Sequence, residues 1–318
     1  MPPRQARLRS FAKINLDLRV LHKRPDGFHE IRTIFQTVSL ADTIQISFQA
    51  SRGTAIRLDS DIPNNLILRA AHAVLDATRT TAQLDISLTK QIPMGGGLGG
   101  GSSNAAAILL ALPVLIGVSL PLETLLDLGA QLGSDVPFFL LGGTALGVGR
   151  GSELYPAPEP APQPALLLTP DVHVSTAEAY VGLNRQLTPE TPSRTISSFQ
   201  ALAWGIGEGG PDGDWPAVND FETVVFSRYP LLKSLKGKLL KLGARFALMS
   251  GSGSTLFGIF HNREARDLAA LKLRSQLGKN SVHPVSLLGR RPYRNLWYTQ
   301  LRPHLEGRQW PPLSRYSK

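Results

Sequence analysis

Cysteine is absent from the 318 residues. That excludes disulfides and thiolate metal sites and suits a reducing compartment, so the expectation is a cytoplasmic protein. No apolar run approaches the ~20 residues that a membrane-spanning helix needs. The short segment ahead of the first strand-like pattern also lacks the apolar core of a signal peptide, and no membrane partner is expected. No internal repeat and no cluster of metal-ligating side chains stands out. Charge is sparse, at 18% of residues against 42% hydrophobic, so the chain can bury sizeable cores. Its length exceeds what one compact core usually holds, and two domains are expected. The net charge of +10 is almost missing from the middle of the chain. Arg4, Arg7 and Arg9 carry part of it, and from Pro284 to Lys318 seven basic residues stand against Glu306 alone. A basic tail with Trp297, Tyr298, Trp310 and Tyr316 therefore reads as a docked or solubilising extension, with no nucleic acid expected as partner.

What the chain has in abundance is glycine in one place. Pro93-Met94-Gly95-Gly96-Gly97-Leu98-Gly99-Gly100-Gly101-Ser102-Ser103-Asn104-Ala105 holds six glycines in seven positions. Leu84, Ile86 and Leu88 alternate before it as a half-buried strand, and Ser102 or Ser103 is placed to cap an Ala- and Leu-rich helix after it. Bare backbone at a helix N-terminus gathers N–H groups and partial positive charge, which makes an anion site, and a nucleotide's phosphate chain is the expected anion. The Walker pattern is excluded because Ser102, not Lys, follows Gly101. The dinucleotide fingerprint matches literally at Gly95, Gly97 and Gly100, yet the acidic residue due about 20 positions later is missing before Glu123.

Elsewhere, Phe11-Ala12-Lys13-Ile14-Asn15-Leu16-Asp17-Leu18 alternates, so Ile14, Leu16 and Leu18 share one strand face. Lys13, Asn15 and Asp17 share the other, an open face that could meet an anionic or hydroxylated ligand; taken alone, Lys13 reads as a solvated charge. A turn at Arg24-Pro25-Asp26-Gly27 leads through Phe28-His29 into further strands. On residue type alone, Phe28 reads as core and His29 as a satisfied turn histidine. Asn64 to Arg79 reads as an amphipathic helix, and Pro121 opens another that stops at Gly133. Asp135 follows, between that stop and an apolar run, where a cap or turn role is the plain reading. The proline-rich stretch 156–164 marks a domain boundary. In the second half a strand over Ala165 to Thr169 precedes a helix capped at Ser175. Ala201 to Trp215 is glycine-rich without a period. Helical patterns run from Phe221 to Lys241, and two apolar strands flank Ser250-Gly251-Ser252-Gly253-Ser254-Thr255, a backbone nest suited to phosphate. A helix over Glu264 to Gln276 and a strand near Val282 complete an α+β pattern.

With these motifs in order, the chain resembles the GHMP small-molecule kinases. The match rests on Ala12-Lys13-Ile14-Asn15-Leu16, the glycine loop and the Ser250–Thr255 turn, over roughly residues 8 to 285. Asp26-Gly27-Phe28-His29, the long loop and Leu132-Gly133-Ser134-Asp135-Val136-Pro137-Phe138 are similar to the branch whose alcohol substrate carries a cytidine diphosphate. The resemblance implies a two-domain GHMP-kinase-like α+β fold: residues 1–160 with the ATP loop and catalytic residues, 161–287 as the C-terminal domain, and 288–318 as a basic extension. It implies ATP as phosphoryl donor with Mg²⁺ bridging the phosphates, which residues 93–103 and the turn at Gly251, Ser252 and Gly253 would contact. Asp135 would act as general base on the substrate hydroxyl, with Lys13 holding that hydroxyl and the transferring group. Phe28 and Tyr180 would sandwich cytosine, His29 would read its edge, and Asn15 and Thr176 would lie beside the substrate.

Two features depart from the family pattern. Phe28 stands where Tyr is usual, and Pro113 falls inside the helix after the loop, implying an early stop or a kink. Phosphorylation of another alcohol, such as homoserine or mevalonate, is the alternative that the base-stacking residues argue against. Non-catalytic nucleotide or RNA binding is the alternative from a different class.

Overall fold

A long hairpin starts the chain: β1 (Arg4–Lys23) pairs antiparallel with β2 (His29–Ala50). The expected turn joins them, with Gly27 at φ +85°. An L side chain resists that conformation, and glycine does not. In the computed structural model the described residues are 2–183, 191–209 and 217–314. β1 does not keep the simple alternation expected of it. Register shifts between Phe11 and Lys13, Asn15 and Asp17, and Val20 and His22 re-aim its side chains, as bulges do. Its polar face is not open either: Lys13, Asn15 and Asp17 are all buried. The backbone N–H of Val218 reaches over to donate to Asp17 Oδ1 at 2.9 Å.

β3 (Ala55–Asp59) follows, and α1 (Leu66–Thr78) crosses over to β4 (Ala82–Thr89), giving a parallel β3–β4 pair. Asn65 caps α1 by accepting from Ile67 N at 3.0 Å, a contact whose loss costs ~1 kcal/mol. α2 (Gly100–Ile116), α3 (Leu122–Leu132) and α4 (Val136–Leu141) then lead to β5 (Thr144–Gly149) and β6 (Glu153–Pro156). The sheet runs β3-β4-β2-β5-β6, with β1 added on β2. Two local expectations about α2 fail. Neither Ser102 nor Ser103 caps it, because Gly99, at φ +68°, takes that position. Pro113 does not stop it; the helix runs on to Ile116 and closes on Gly117 with φ +94°.

β7 (Pro164–Leu168) begins the second half, followed by α5 (Thr176–Leu183), α6 (Thr191–Gly209), α7 (Phe221–Arg228) and α8 (Pro230–Lys241). The helical pattern expected from 221 to 241 is thus two helices, broken where Pro230 opens the second. α6 covers residues 201–209, where the sequence shows no period, while 210–215 lie outside the described residues. β8 (Phe246–Met249), β9 (Leu256–Ile259), α9 (Arg263–Leu277) and β10 (Val282–Ser286) complete an antiparallel sheet in the order β10-β7-β9-β8.

Three apolar clusters hold these parts together. One packs α1, α2 and α4 against the first sheet, and another packs α7, α8 and α9 against the second. The third lies between the sheets, where Ile14, Leu16 and Ile34 meet Leu167, Phe257 and Ile259. The segment after β10 is docked, not loose. α10 (Arg290–Leu301) buries Tyr293, Trp297 and Leu301 in the first cluster. Trp297 donates its indole N–H to Arg9 O at 2.8 Å along the free edge of β1, so its ring is core and not a platform for a base. Tyr316 lies outside the described residues. No helix among the described residues is long and apolar enough to cross a membrane.

Candidate active site

The three separated motifs meet in space. Backbone N–H of Lys13 donates to Leu98 O at 3.0 Å, which ties β1 to the glycine loop. Ser250 Oγ donates to Gly97 O at 3.0 Å, and Thr255 N to Gly96 O at 3.3 Å, which tie the loop to the β8–β9 turn. Glycine is required at this junction: a Cβ on Gly97 would lie 2.2 Å from Ser250 O, and Gly97 sits at φ +77°. The loop ends at the first turn of α2, where N–H groups have no acceptor within the helix and the dipole is positive.

Two cavities flank this loop and share Gly95 and Gly97 in their walls. The smaller, of about 350 Å³, is bounded by residues 93–102, Asn64, Asn65 and Lys90. Lys90 is held there by Asp42 Oδ2 at 2.7 Å and Ile92 O at 2.6 Å. The larger, of about 680 Å³, takes in Lys13, Asn15, Asp135, Phe28, His29 and Tyr180. Ser134, Thr176, Gly251 and Ser252 also line it.

Asp135 stands at the N-terminal end of α4, yet its side chain makes no capping bond. Its carboxylate is instead 3.4 Å from the Lys13 ammonium, and the Asp135 side chain remains a third exposed. Lys13 also donates to Asn15 Oδ1 at 2.8 Å, and Asn15 donates to Thr33 Oγ1 at 2.8 Å. Thr33 in turn donates to Asp17 O at 2.7 Å, so the ammonium is aimed by a chain of fixed partners. Phe35 lies beneath it, with its ring centroid 5.4 Å from Nζ.

At the far end, the β1–β2 hairpin presents Phe28 and His29 to opposite neighbours. Phe28 is half exposed and carries the Arg150 guanidinium on its face at 4.0 Å. Asp26 holds that guanidinium at 2.9 Å, and the hydrogen bond from Arg150 pulls the Asp26 carboxyl down to about 2. Tyr180 stacks on His29, not on Phe28, with ring centroids 4.4 Å apart and planes at 19°, and meets Phe221 edge-on. Burial, followed by the charges of Lys23 and His22, lowers the His29 pKa, which favours a neutral imidazole. Burial and then the charge of Asp135 push the Tyr180 phenol up to about 12, so it stays an O–H donor.

Not every anticipated contact is present. Ser103 is buried, and its hydroxyl bonds Ser10 Oγ at 2.7 Å on the inner side of α2, away from the loop. Ser102, one residue earlier, lines the smaller cavity. Thr176 hydrogen-bonds Ser252 Oγ at 2.8 Å, at the rim where the two halves of the chain meet. Arg150, Thr33 and Lys90 escaped the sequence reading because each is a single polar residue within a strand, turn or loop whose neighbours carry no motif. Among the described residues, no group of three or more His, Cys, Asp or Glu side chains could hold a metal.

Comparison with known proteins shows the family and the fold. Residues 65–143 match the model of the GHMP kinases N terminal domain, and residues 205–279 that of the GHMP kinases C terminal. The chain is 52% identical over 320 residues to a 4-diphosphocytidyl-2-C-methyl-D-erythritol kinase of Solibacter usitatus, spanning 99% of this chain and 98% of that one. It is 40% identical to the kinase of the same name from Geobacter sp. strain M21, over 84% of this chain and 94% of the relative. The crystal structure of a 4-(cytidine 5'-diphospho)-2C-methyl-D-erythritol kinase superposes with a TM-score of 0.75 at 35% identity, covering 89% of this chain and 99% of that one. A homoserine kinase from Cytophaga hutchinsonii shares the fold, with a TM-score of 0.72 at 20% identity over 91% of this chain and 96% of its own. The chain belongs to the GHMP kinases and is an ATP-dependent phosphotransferase.

Proposed function

We propose that this kinase transfers the γ-phosphoryl group of ATP to the 2-hydroxyl of 4-diphosphocytidyl-2-C-methyl-D-erythritol, a step in non-mevalonate isoprenoid precursor synthesis. One observation carries this reading: the Lys13–Asp135 pair, 3.4 Å apart, lines the same cavity as Phe28, His29 and Tyr180, and the glycine loop forms part of its wall. The 52% relative and the superposable kinase structure carry the same substrate in their names. Homoserine and mevalonate have no base, and would leave the aromatic end of the larger cavity without a use.

Asp135 accepts the proton of the attacking hydroxyl, the new O–P bond forms at the γ-phosphorus, and the bond to the bridging oxygen breaks to release ADP. Lys13 neutralises charge on the transferring group, and the amides at the start of α2 and at Gly251 and Ser252 hold the phosphate chain in line; the expected contact from Gly253 is taken instead by Ser250 O, to which its N–H donates at 3.1 Å. Such transfer needs positioning and charge stabilisation more than covalent chemistry. Mg²⁺ fits this donor set. It usually keeps several waters and is held largely through substrate phosphates, and the Ser102 hydroxyl lines the smaller cavity beside the loop. The Ser102 hydroxyl is the group that would join the phosphate oxygens around the ion, which would supply further neutralisation of the phosphates.

His29, neutral, reads the edge of cytosine, while Tyr180 and Phe28 offer ring faces. Stacking is worth ~1–3 kcal/mol and is blind to base identity, so selectivity falls to His29. Asn15 and Thr176 border the methylerythritol and diphosphate, towards which Arg150 offers a charge. In this reading residues 1–160 and 161–287 are the two kinase domains, 288–318 is an extension of the first, and the reaction takes place in the cytoplasm. A coupled ADP-release assay across the cytidyl substrate, homoserine and mevalonate is expected to show turnover with the first alone. Turnover of either other alcohol at a comparable kcat/KM would overturn the assignment.

A further inference from the structure

The carboxylate assigned as base stands at the N-cap of a helix of only six residues, Val136–Leu141. A helix that short has little tendency to hold itself, so its direction is set by what packs on it. Its last carbonyls have no acceptor role left within the helix and need donors from outside. Gly142 N supplies one to Phe138 O at 2.8 Å. The other comes from the far end of the chain, where the Tyr293 hydroxyl of α10 donates to Phe139 O at 2.5 Å.

Tyr293 is almost wholly buried, and its ring lies so close over Gly142 that a Cβ there would approach to 2.3 Å. Arg290, one helical turn earlier, grips the same exit from α4 through Gly142 O at 3.3 Å and Thr144 O at 2.5 Å. The residue whose carbonyl Tyr293 holds is also the one that touches the catalytic parts. A Cβ added to Gly99 would lie 2.8 Å from Phe139 Cζ and 3.2 Å from Lys13 Cγ. The Phe139 ring therefore packs where the glycine loop and the Lys13 stem come together.

We propose that Tyr293 is a positioning residue for phosphoryl transfer. Its hydroxyl fixes the end of α4, and through Phe139 it sets where Asp135, Lys13 and the start of α2 stand relative to one another. The tail segment is then part of the machinery and not only a cover for the edge of β1. This rests on the assignment of Lys13 and Asp135 made above. Tyr293 touches neither substrate, so its loss should act on the transfer step and spare the cytidyl groove at the other end of the larger cavity.

Tyr293→Phe keeps the ring and deletes the hydroxyl. The single-turnover transfer rate at saturating ATP and cytidyl substrate is expected to fall about tenfold, since misplacement of reacting groups by about 1 Å costs up to 10²-fold. KM for the cytidyl substrate is expected to stay within about twofold of wild type. A lowered Tm with an unchanged rate per folded enzyme would make Tyr293 merely structural and overturn the proposal. Should that variant not fold, Phe139→Leu keeps the carbonyl but withdraws the ring from Gly99 and Lys13. It is expected to show the same loss of rate, and a wild-type rate overturns the proposal. Asp135→Asn measured in parallel separates the two claims. If it retains the wild-type rate, the base assignment fails whatever Tyr293 does. If it is inactive while Tyr293→Phe runs at full rate, only the positioning role fails.

Discussion

Asp135, the proposed base, is left open by what it does not do. It occupies a helix-capping position without bonding an amide, and its oxygen faces Lys13 at 3.4 Å. Asp135→Asn preserves its volume and removes proton acceptance. kcat is expected to fall ~10²–10⁴-fold, with the ATP Kd from calorimetric titration unchanged; a variant keeping more than a tenth of its activity would not have lost its base. His29 sets a different dependence. Burial holds its imidazole below the ordinary value of 6.5, so the neutral form persists to lower pH than in a free histidine. KM for the cytidyl substrate is expected to stay flat from pH 8 to about 6.5 and to rise only below that. His29→Ala should raise KM at every pH and abolish that rise. Lys13, His29 and Asp135 lie in motifs from which the sequence could nominate them, and they line one cavity. Arg150 was not: its partner Asp26 is 124 positions away, and only the hairpin brings them together.

At the scale of elements, the strand, glycine loop and helix were all visible, because period-2 hydrophobicity gives way to glycine and then to an alanine-rich run. The start of α2 was misread by three or four residues, since a glycine at positive φ can replace a serine cap without leaving a side-chain signal. α6 was invisible for a related reason, as its glycines and serines weaken the 3.6-residue period. Gly97 shows how closely these elements depend on one another. In Gly97→Ala the left-handed backbone costs ~1–2 kcal/mol, and the new methyl meets Ser250 O. The loop and the β8–β9 turn must then separate. KM for ATP is expected to rise by about tenfold or more, with a smaller change in KM for the alcohol; an unchanged KM for ATP would place the phosphates elsewhere.

For the whole molecule, two sheets share one of the three cores, and a buried ion pair sits at their junction. Arg19 Nε donates to Asp17 Oδ2 at 2.9 Å, while its guanidinium also reaches Thr195 O at 3.0 Å and the Ser198 hydroxyl on α6. Desolvation outweighs these partners and raises the Asp17 carboxyl to about 6, from an ordinary 3.8. Between those two values the native state binds more protons than the unfolded chain, so this group adds stability as pH falls through the window and withdraws it as pH rises. The effect is on the order of 2–3 kcal/mol. Wild type is expected to gain Tm relative to Asp17→Asn between pH 7 and pH 5; parallel Tm profiles would show that Asp17 titrates normally. None of this was readable from the sequence, where Asp17 lies on a strand face that looks open. It is the second half of the chain, folding over that face, that buries it.

The two cavities are separated by little more than the backbone of Gly95 and Gly97. A single inhibitor with an adenosine-like head and a cytidine-like head, joined by a short bridge past those glycines, would surrender its translational freedom once where two separate ligands surrender it twice. Its avidity should exceed that of either half by orders of magnitude when the bridge matches the span, and collapse when the bridge is too short to pass the loop.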